Sequence, residues 1–156
     1  MFVSSNAVLN APQKSTPQTN PPLTFLGPMV ALCNEFSASD GDIFPFRFKS
    51  NGLGKLIGKR TWGGVTGIRE SLPLVDGGQF FKPEFALYSK DGKQWIVEGH
   101  GVDPDMVVDN DPGKEFKGED QQLDRAIQEM QDELKTKRFD FPSPPPWPNR
   151  NPAGGT

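Results

Sequence analysis

The chain has 156 residues, enough for one domain, with a net charge of −3 and a hydrophobic content of 34%. Its lysines and arginines are scattered rather than gathered on a basic face, which argues against a nucleic-acid partner. One cysteine and one histidine leave no cluster for a structural zinc site. No apolar stretch approaches the roughly 20 residues that cross a bilayer, so we expect no membrane partner.

The two ends of the chain differ in composition from the middle. Residues 1–24 are rich in Asn, Ser, Thr, Gln and Pro and offer little apolar surface to offset the entropy of ordering. We predict a flexible leader there, with a short ordered piece around Val8 and Leu9. Residues 139–156 form a proline-rich tail, which favours extended polyproline II geometry. The ordered domain is therefore expected over residues 25–138.

The first predicted element of the domain is a buried strand in GPMVALCNE, residues 27–35. A short apolar run without alternation, entered by a Gly-Pro pair, is typical of a strand that is covered on both faces. Cys33 lies inside this run, and we expect it to behave as a small buried hydrophobic residue.

A short helix is predicted next, over residues 40–49. Ser39 or Asp40 would be its N-cap, carboxylates occupy the first turn, and the Asn-Gly pair at 51–52 ends it. Pro45 falls inside this stretch, where proline is tolerated only in the first turn.

Three further segments indicate strands. Residues 55–68 predict a short strand followed by a glycine-bent loop or hairpin. Residues 76–99 read as two strands joined at Asp91-Gly92, a dipeptide typical of hairpins. Residues 102–108 predict a turn followed by a strand end.

The clearest helix is predicted over residues 118–137. Acidic residues occupy its first turn and basic residues its last, which suits the helix dipole. Its apolar residues recur at helical spacing, and we expect this stripe to face the core. The stripe consists of Leu123, Ile127, Met130 and Leu134, with Ala126 extending it.

The junction between the predicted strand and the first helix carries the sequence SASDGD, residues 37–42. A serine there is a helix cap, a packing residue or a nucleophile. At a helix N-terminus, backbone N–H groups converge on one point, which stabilises an oxyanion and favours ionisation of a nearby nucleophile. The local pattern alone favours the capping role for Ser39.

Longer motifs resemble the catalytic segment of tricorn-type serine proteases, which share a peptidase group with the C-terminal-processing peptidases. They are NEFSASDGDIFPFRFKSNGLGKLIGKRTWGG, LVDGG, PEFALYSKDGKQWIVEGHGVDPDMVV and DQQLDRAIQEM, in the family's order. The resemblance covers residues 25–138. It implies an α/β fold, a partial crotonase- or ClpP-like spiral of ββα units with a C-terminal amphipathic helix.

The resemblance also implies roles for three residues. The family's nucleophile is the serine before Asp-Gly-Asp, which is Ser39 here, and the N–H of the next residue, Asp40, contributes to the oxyanion hole. A family glutamate that orients the catalytic histidine through a serine matches Glu98. No metal or organic cofactor is implied.

The family's catalytic histidine and its neighbouring serine have no match in this chain. The one histidine, His100, follows Glu98 too closely to be the expected base, and a hydroxyl without a base is a poor nucleophile. We therefore expect a fragment of a serine endopeptidase that needs an upstream catalytic segment carrying the Ser-His pair.

Peptides are the expected substrates, by an acyl-enzyme route, and self-association into a homo-oligomer is expected by resemblance. We expect a cytoplasmic location, although any export signal would lie upstream of this chain. The alternatives are a truncated, non-catalytic peptide-binding or degenerate protease domain, and a crotonase-like acyl-CoA enzyme, which shares the spiral fold but needs no serine at position 39.

Overall fold

The structure is a computed structural model that describes residues 8–10, 18–20, 24–70, 73–136 and 143–148. The chain divides into two units, Pro28–Thr136 and a second unit made of Met1–Gly27 with Lys137–Thr156. The described elements, in chain order, are β1 (Val8–Asn10), β2 (Gln18–Asn20), β3 (Met29–Cys33), α1 (Asp40–Ser50), β4 (Gly54–Gly58), β5 (Gly67–Glu70), β6 (Phe81–Phe85), β7 (Met106–Val107), α2 (Pro112–Glu115) and α3 (Gln121–Thr136). This mixture of helices with a parallel sheet confirms the α/β class.

In the terminal unit, β1 and β2 pair antiparallel, with Val8 opposite Asn20. Two stretches of the predicted leader are therefore strands, and the rest of residues 1–23 lies outside the described residues. Residues 143–148 of the predicted tail are exposed and have no regular secondary structure. The remainder of the tail also lies outside the described residues.

A parallel three-stranded sheet in the order β3-β4-β7 forms the centre of the larger unit. In its register Ala31 lies opposite Leu56, and Ile57 lies opposite Met106. The side chains of Leu56 and Ile57 are fully buried, and Cys33 is buried at the end of β3. The predicted strand at residues 29–33, the strand after residue 54 and the strand end near residue 107 are thereby confirmed. The expectation that β3 is covered on both faces is wrong, because Leu32 is 42% exposed.

Helix α1 covers one face of this sheet. Because successive strand residues point to opposite faces, Ala31, Cys33 and Leu56 share one face, where they form the core cluster with Phe48 of α1 and with Val102. Removing these side chains from water is the main force that holds α1 against the strands.

The α1 helix itself is confirmed with Ser39 as its N-cap, but Pro45 lies at its sixth position, beyond the first turn. The expectation that proline would be confined to the first turn is therefore wrong. Proline inside a helix costs about 3 kcal/mol because it removes a hydrogen bond and crowds the preceding turn. The burial of Pro45 and Phe48, and the packing of Phe46 on the core, offset that cost.

Helix α3 covers the opposite face, and its apolar stripe is oriented differently from the prediction. Ala126 and Glu129 are buried against the sheet, and Glu129 forms an ion pair with Lys55 of β4. Leu123 and Ile127 are each 46% exposed. The predicted stripe therefore faces the core only in part: Ala126 is buried and Met130 half-buried, whereas Leu123, Ile127 and Leu134 are exposed. The buried side of the helix is rotated toward Ala126 and the Lys55–Glu129 pair. None of the described helices is long and apolar enough to cross a membrane.

The predicted hairpin around Asp91-Gly92 forms, but it is shorter than predicted and its strands are not the ones expected. The first of its two strands forms as β6, but β6 pairs with β5, where Glu70 lies opposite Phe81. Across the predicted turn, the described residues make a single bridge between Tyr88 and Trp95. Two backbone hydrogen bonds flank this bridge, from Ser89 N–H to the Gln94 carbonyl at 2.8 Å and from Ile96 N–H to the Leu87 carbonyl at 2.9 Å. A short hairpin therefore does form around Asp91-Gly92, but β6 is not one of its strands.

Candidate active site

Ser39 is the exposed first central residue of a tight turn that leads from β3 into α1. The Ala38 carbonyl accepts a hydrogen bond from Gly41 N–H at 2.8 Å, and Ser39 has φ 55° and ψ −111°. These angles are those of a type II′ turn, in which glycine is the usual residue at this position. A serine in this conformation is strained, and such strain is concentrated at functional sites.

Helix α1 begins within this turn. Asp40 is its first residue, and the Asp40 N–H has no hydrogen-bond acceptor among the described residues. The first N–H groups of any helix lack intrahelical partners, and the helix dipole favours negative charge in front of them. An unpaired N–H therefore follows the exposed hydroxyl-bearing residue.

Asp42, in the first turn of α1, is fully buried, and its carboxylate accepts three backbone N–H groups. Oδ2 accepts from Ser39 at 2.9 Å and from Gly64 at 3.1 Å, and Oδ1 accepts from Gly63 at 2.7 Å. This side chain connects the Ser39 turn to the loop of residues 61–66. The sequence interpretation missed this role, and the one signal for it was an acidic residue at the third position of a predicted helix.

The loop of residues 61–66 lies between the Ser39 segment and the segment of residues 97–102. Its Trp62 N–H donates to the Ser37 carbonyl at 2.9 Å, and its Gly63 carbonyl accepts from Gly99 at 2.8 Å. The approach is close enough that a Cβ at Gly63 would lie 2.5 Å from the backbone nitrogen of Gly101. Glycine is needed at position 63 for this contact.

Glu98 is exposed and binds the far half of the same loop. Its Oε2 accepts the Val65 and Thr66 N–H groups, each at 2.7 Å. The hydrogen bond from Val65, followed by that from Thr66, lowers the pKa of Glu98, while the charge of Asp42 opposes that shift. Glu98 is therefore a carboxylate at neutral pH.

The residue before Glu98 is strained as well. Val97 has φ 68°, a rare value for a β-branched residue, and its carbonyl accepts the N–H groups of His100 and Gly101. The predicted nucleophile and the predicted orienting glutamate thus both lie in backbone that costs free energy to hold.

His100 is engaged elsewhere. Its Nε2 lies 2.9 Å from Oδ2 of Asp103, and both side chains are more than half exposed. This contact lowers the pKa of Asp103. Within the described residues the ring has no hydrogen bond to Ser39, and no group of three or more His, Cys, Asp or Glu side chains is arranged to hold a metal ion.

Comparison with known proteins identifies the family of the chain. The model of peptidase family S41 matches residues 2–108, a match that begins within the predicted leader. The tricorn protease of Thermoplasma acidophilum is 42% identical over 134 residues, which are 86% of this chain and 12% of that protein. Tricorn protease homolog 1 of Streptomyces coelicolor is 46% identical over 116 residues, 74% of this chain and 11% of that protein. The chain thus spans about an eighth of the length of these relatives.

Solved structures give the same result. The crystal structure of the tricorn protease superimposes with a TM-score of 0.75 at 41% identity, over 86% of this chain and 13% of that chain. Mature CPAF complexed with lactacystin has a TM-score of 0.60 at 23% identity, over 77% of this chain and 25% of that one, which shows a shared fold. The predicted tricorn-like fold is therefore confirmed, and this chain belongs to peptidase family S41.

Proposed function

We propose that this chain is the nucleophile-bearing part of a serine peptidase that cleaves peptides. The observation that carries the proposal is the exposed Ser39 in a strained turn directly before a helix whose first N–H, that of Asp40, lacks an acceptor among the described residues. The names of the tricorn protease relatives support the same reaction class.

In this mechanism Ser39 Oγ attacks the carbonyl carbon of the scissile peptide bond while a histidine takes its proton. The carbonyl oxygen becomes an oxyanion and accepts the Asp40 N–H, where the helix dipole adds a favourable field. The histidine then gives its proton to the leaving amine, and water hydrolyses the acyl-enzyme to release the second product.

The histidine is proposed to come from an upstream catalytic segment, which also supplies a serine. Glu98, a carboxylate at neutral pH, would accept the hydroxyl of that serine and so orient the histidine. His100 is a poorer choice of base because its ring is bonded to Asp103.

Exposed apolar surface supports the need for a further protein segment. Ile68, Phe81 and Phe85 are exposed on the two-stranded sheet of β5 and β6. Large apolar side chains grouped on a surface usually mark a protein contact. The same surface supports self-association as a second proposal, which the mass of the purified chain in solution would test.

A fluorophosphonate probe, which reacts with activated serines, tests the proposal. We expect no labelling of the purified chain, labelling after addition of the upstream catalytic segment of a tricorn relative, and no labelling of Ser39→Ala in the same mixture. Binding of the upstream segment is measured separately by size-exclusion chromatography. Binding without labelling would favour the second candidate, a non-catalytic peptide-binding domain, and labelling of Ser39→Ala would show that the nucleophile is another residue.

A further inference from the structure

Asp42 is the one fully buried carboxylate among the described residues, and the mechanism above gives it no part. Burying a charge is costly unless it is paired or well hydrogen-bonded. Asp42 meets that condition with backbone groups alone, because three N–H groups donate to its two oxygens. A buried charge held in this way calls for an explanation beyond capping α1.

The loop partners of Asp42 are adjacent in sequence to those of Glu98. Four consecutive N–H groups, those of residues 63–66, are divided between the two carboxylates. Asp42 accepts the first two, and Glu98 accepts the last two. The loop of residues 61–66 therefore links the two carboxylates through four consecutive backbone donors.

The third N–H on Asp42 is that of Ser39 itself, at 2.9 Å. A carboxylate is a strong acceptor, and charge-assisted hydrogen bonds are roughly twice as strong as neutral ones. The N–H that donates this bond belongs to the residue with the strained φ of 55°. Loss of the carboxylate would free both the turn and the near half of the loop.

We propose that Asp42 is a positioning residue, which fixes the position of Ser39 relative to Glu98. It does so by binding the Ser39 turn and the Gly63-Gly64 amides of the loop at the same time, and Glu98 binds the other half of that loop. This inference rests on the proposed peptidase function. Asp42 touches no reacting atom in this scheme, and its effect is transmitted through backbone positions. Reaction rates are sensitive to such positions, since a displacement of about 1 Å can cost roughly 100-fold.

Asp42→Asn is the decisive variant, because the amide has one acceptor oxygen and places an NH₂ donor against at least one backbone N–H. Asp105→Asn is the matched control, since Asp105 Oδ2 also accepts a backbone N–H, that of Leu56 at 2.9 Å, at a distance in sequence from Ser39. If Asp42→Asn does not fold, Asp42→Glu, which retains the charge and moves it by one methylene, takes its place.

The first measurement uses the chain alone and follows amide hydrogen exchange by NMR. We expect faster exchange at Ser39, Gly63 and Gly64 in Asp42→Asn, and at Leu56 in Asp105→Asn. Unchanged exchange at the first three amides would overturn the inference whatever the activity.

The second measurement uses the chain assembled with the upstream segment, at a temperature where both variants are folded. We expect Asp42→Asn to lower kcat for a peptide by about 10- to 100-fold with KM changed less than about 2-fold, and Asp105→Asn to retain the kcat of the unmodified chain. A kcat for Asp42→Asn equal to that of Asp105→Asn would make Asp42 merely structural. If the unmodified assembly neither reacts with the fluorophosphonate nor cleaves peptide, the proposed function fails and the positioning role with it, while the exchange data still decide whether Asp42 holds the turn.

Discussion

At the scale of single residues, the backbone of Ser39 makes a prediction that does not depend on activity. A residue other than glycine in this conformation destabilises the folded chain by about 1–3 kcal/mol. Replacing it with glycine removes that strain, but glycine loses more conformational entropy on folding, which cancels about 0.5–1 kcal/mol of the gain. We expect Ser39→Gly to raise the free energy of unfolding by about 1 kcal/mol, while Ser39→Ala, which keeps the strain, changes it little.

Urea unfolding of the two variants measures this difference, and both lack the hydroxyl, so lost side-chain contacts are matched. A Ser39→Gly chain that is no more stable than Ser39→Ala would mean that φ 55° carries no strain here.

Cys33 yields a second prediction at this scale. Burial raises the pKa of its thiol to about 11, with Lys49 lowering it and Asp105 raising it further, and the Sγ donates to the Lys59 carbonyl at 3.1 Å. Only the thiolate is nucleophilic. We expect iodoacetamide at pH 8 to modify the folded chain about 100-fold more slowly than the unfolded chain, because a pKa shift of about two units reduces the thiolate fraction by that factor.

Mass spectrometry of timed samples, with and without guanidinium, measures the two rates. Rapid alkylation under native conditions would show that the end of β3 opens readily. It would argue against a rigid strand end preceding the Ser39 turn.

At the scale of elements, the loops of the candidate active site depend on close backbone contacts. Gly101 has φ 86°, and a Cβ there would lie 2.1 Å from the Thr61 carbonyl oxygen, whereas Gly99 has φ 76° and open space around it. We expect Gly99→Ala to cost about 1–2 kcal/mol of unfolding free energy from backbone strain alone. Gly101→Ala should cost about 1–3 kcal/mol more, because the loops must move apart.

Denaturant unfolding of both variants gives the comparison, with Gly99→Ala as the control for strain. If the two variants lose the same unfolding free energy, the loop of residues 61–66 can move away from residue 101 without destabilising the fold.

The elements also show which features a sequence predicts. Strand β3 and helices α1 and α3 were predicted because apolar spacing, caps and turn residues are local signals. The pairing of β5 with β6 was missed, since Gly67 and Phe85 meet only after folding. On the buried side of α3, Glu129 pairs with Lys55, which lies 74 residues away in the sequence.

The candidate site divides in the same way. Ser39 was predicted from a contiguous motif, and its strained φ agrees with the role that the motif implies. The role of Asp42 was not predicted, because the backbone donors that it binds, those of Gly63 and Gly64, lie 21 and 22 residues away. In the sequence alone, an aspartate at this position is indistinguishable from an ordinary acidic residue in the first turn of a helix.

At the scale of the whole molecule, Glu98, which holds the far half of the loop of residues 61–66, belongs to a set of carboxylates that gain hydrogen-bond partners on folding. Lys55 donates to Glu129, and this hydrogen bond, together with the charges of Lys55 and Arg125, holds the pKa of Glu129 below its ordinary value of 4.5. The hydrogen bond from Val65 does the same for Glu98. Such groups stabilise the folded chain above their unfolded pKa, and that stability is lost as the pH falls through their folded values.

We therefore expect the urea midpoint of the chain to fall as the pH is lowered from about 4.5 to about 3, the range in which unfolded glutamates and aspartates bind protons. Glu129→Gln should lower the midpoint at pH 7, because it breaks the pair that joins α3 to β4, and it should show a smaller fall in acid. Glu119→Gln, at an exposed position outside the helices, should show the same decrease of the urea midpoint in acid as the unmodified chain. If the urea midpoint of Glu129→Gln falls as steeply in acid as that of the unmodified chain, the acid sensitivity arises from other carboxylates. Glu98, in the candidate active site, would then be tested next with Glu98→Gln.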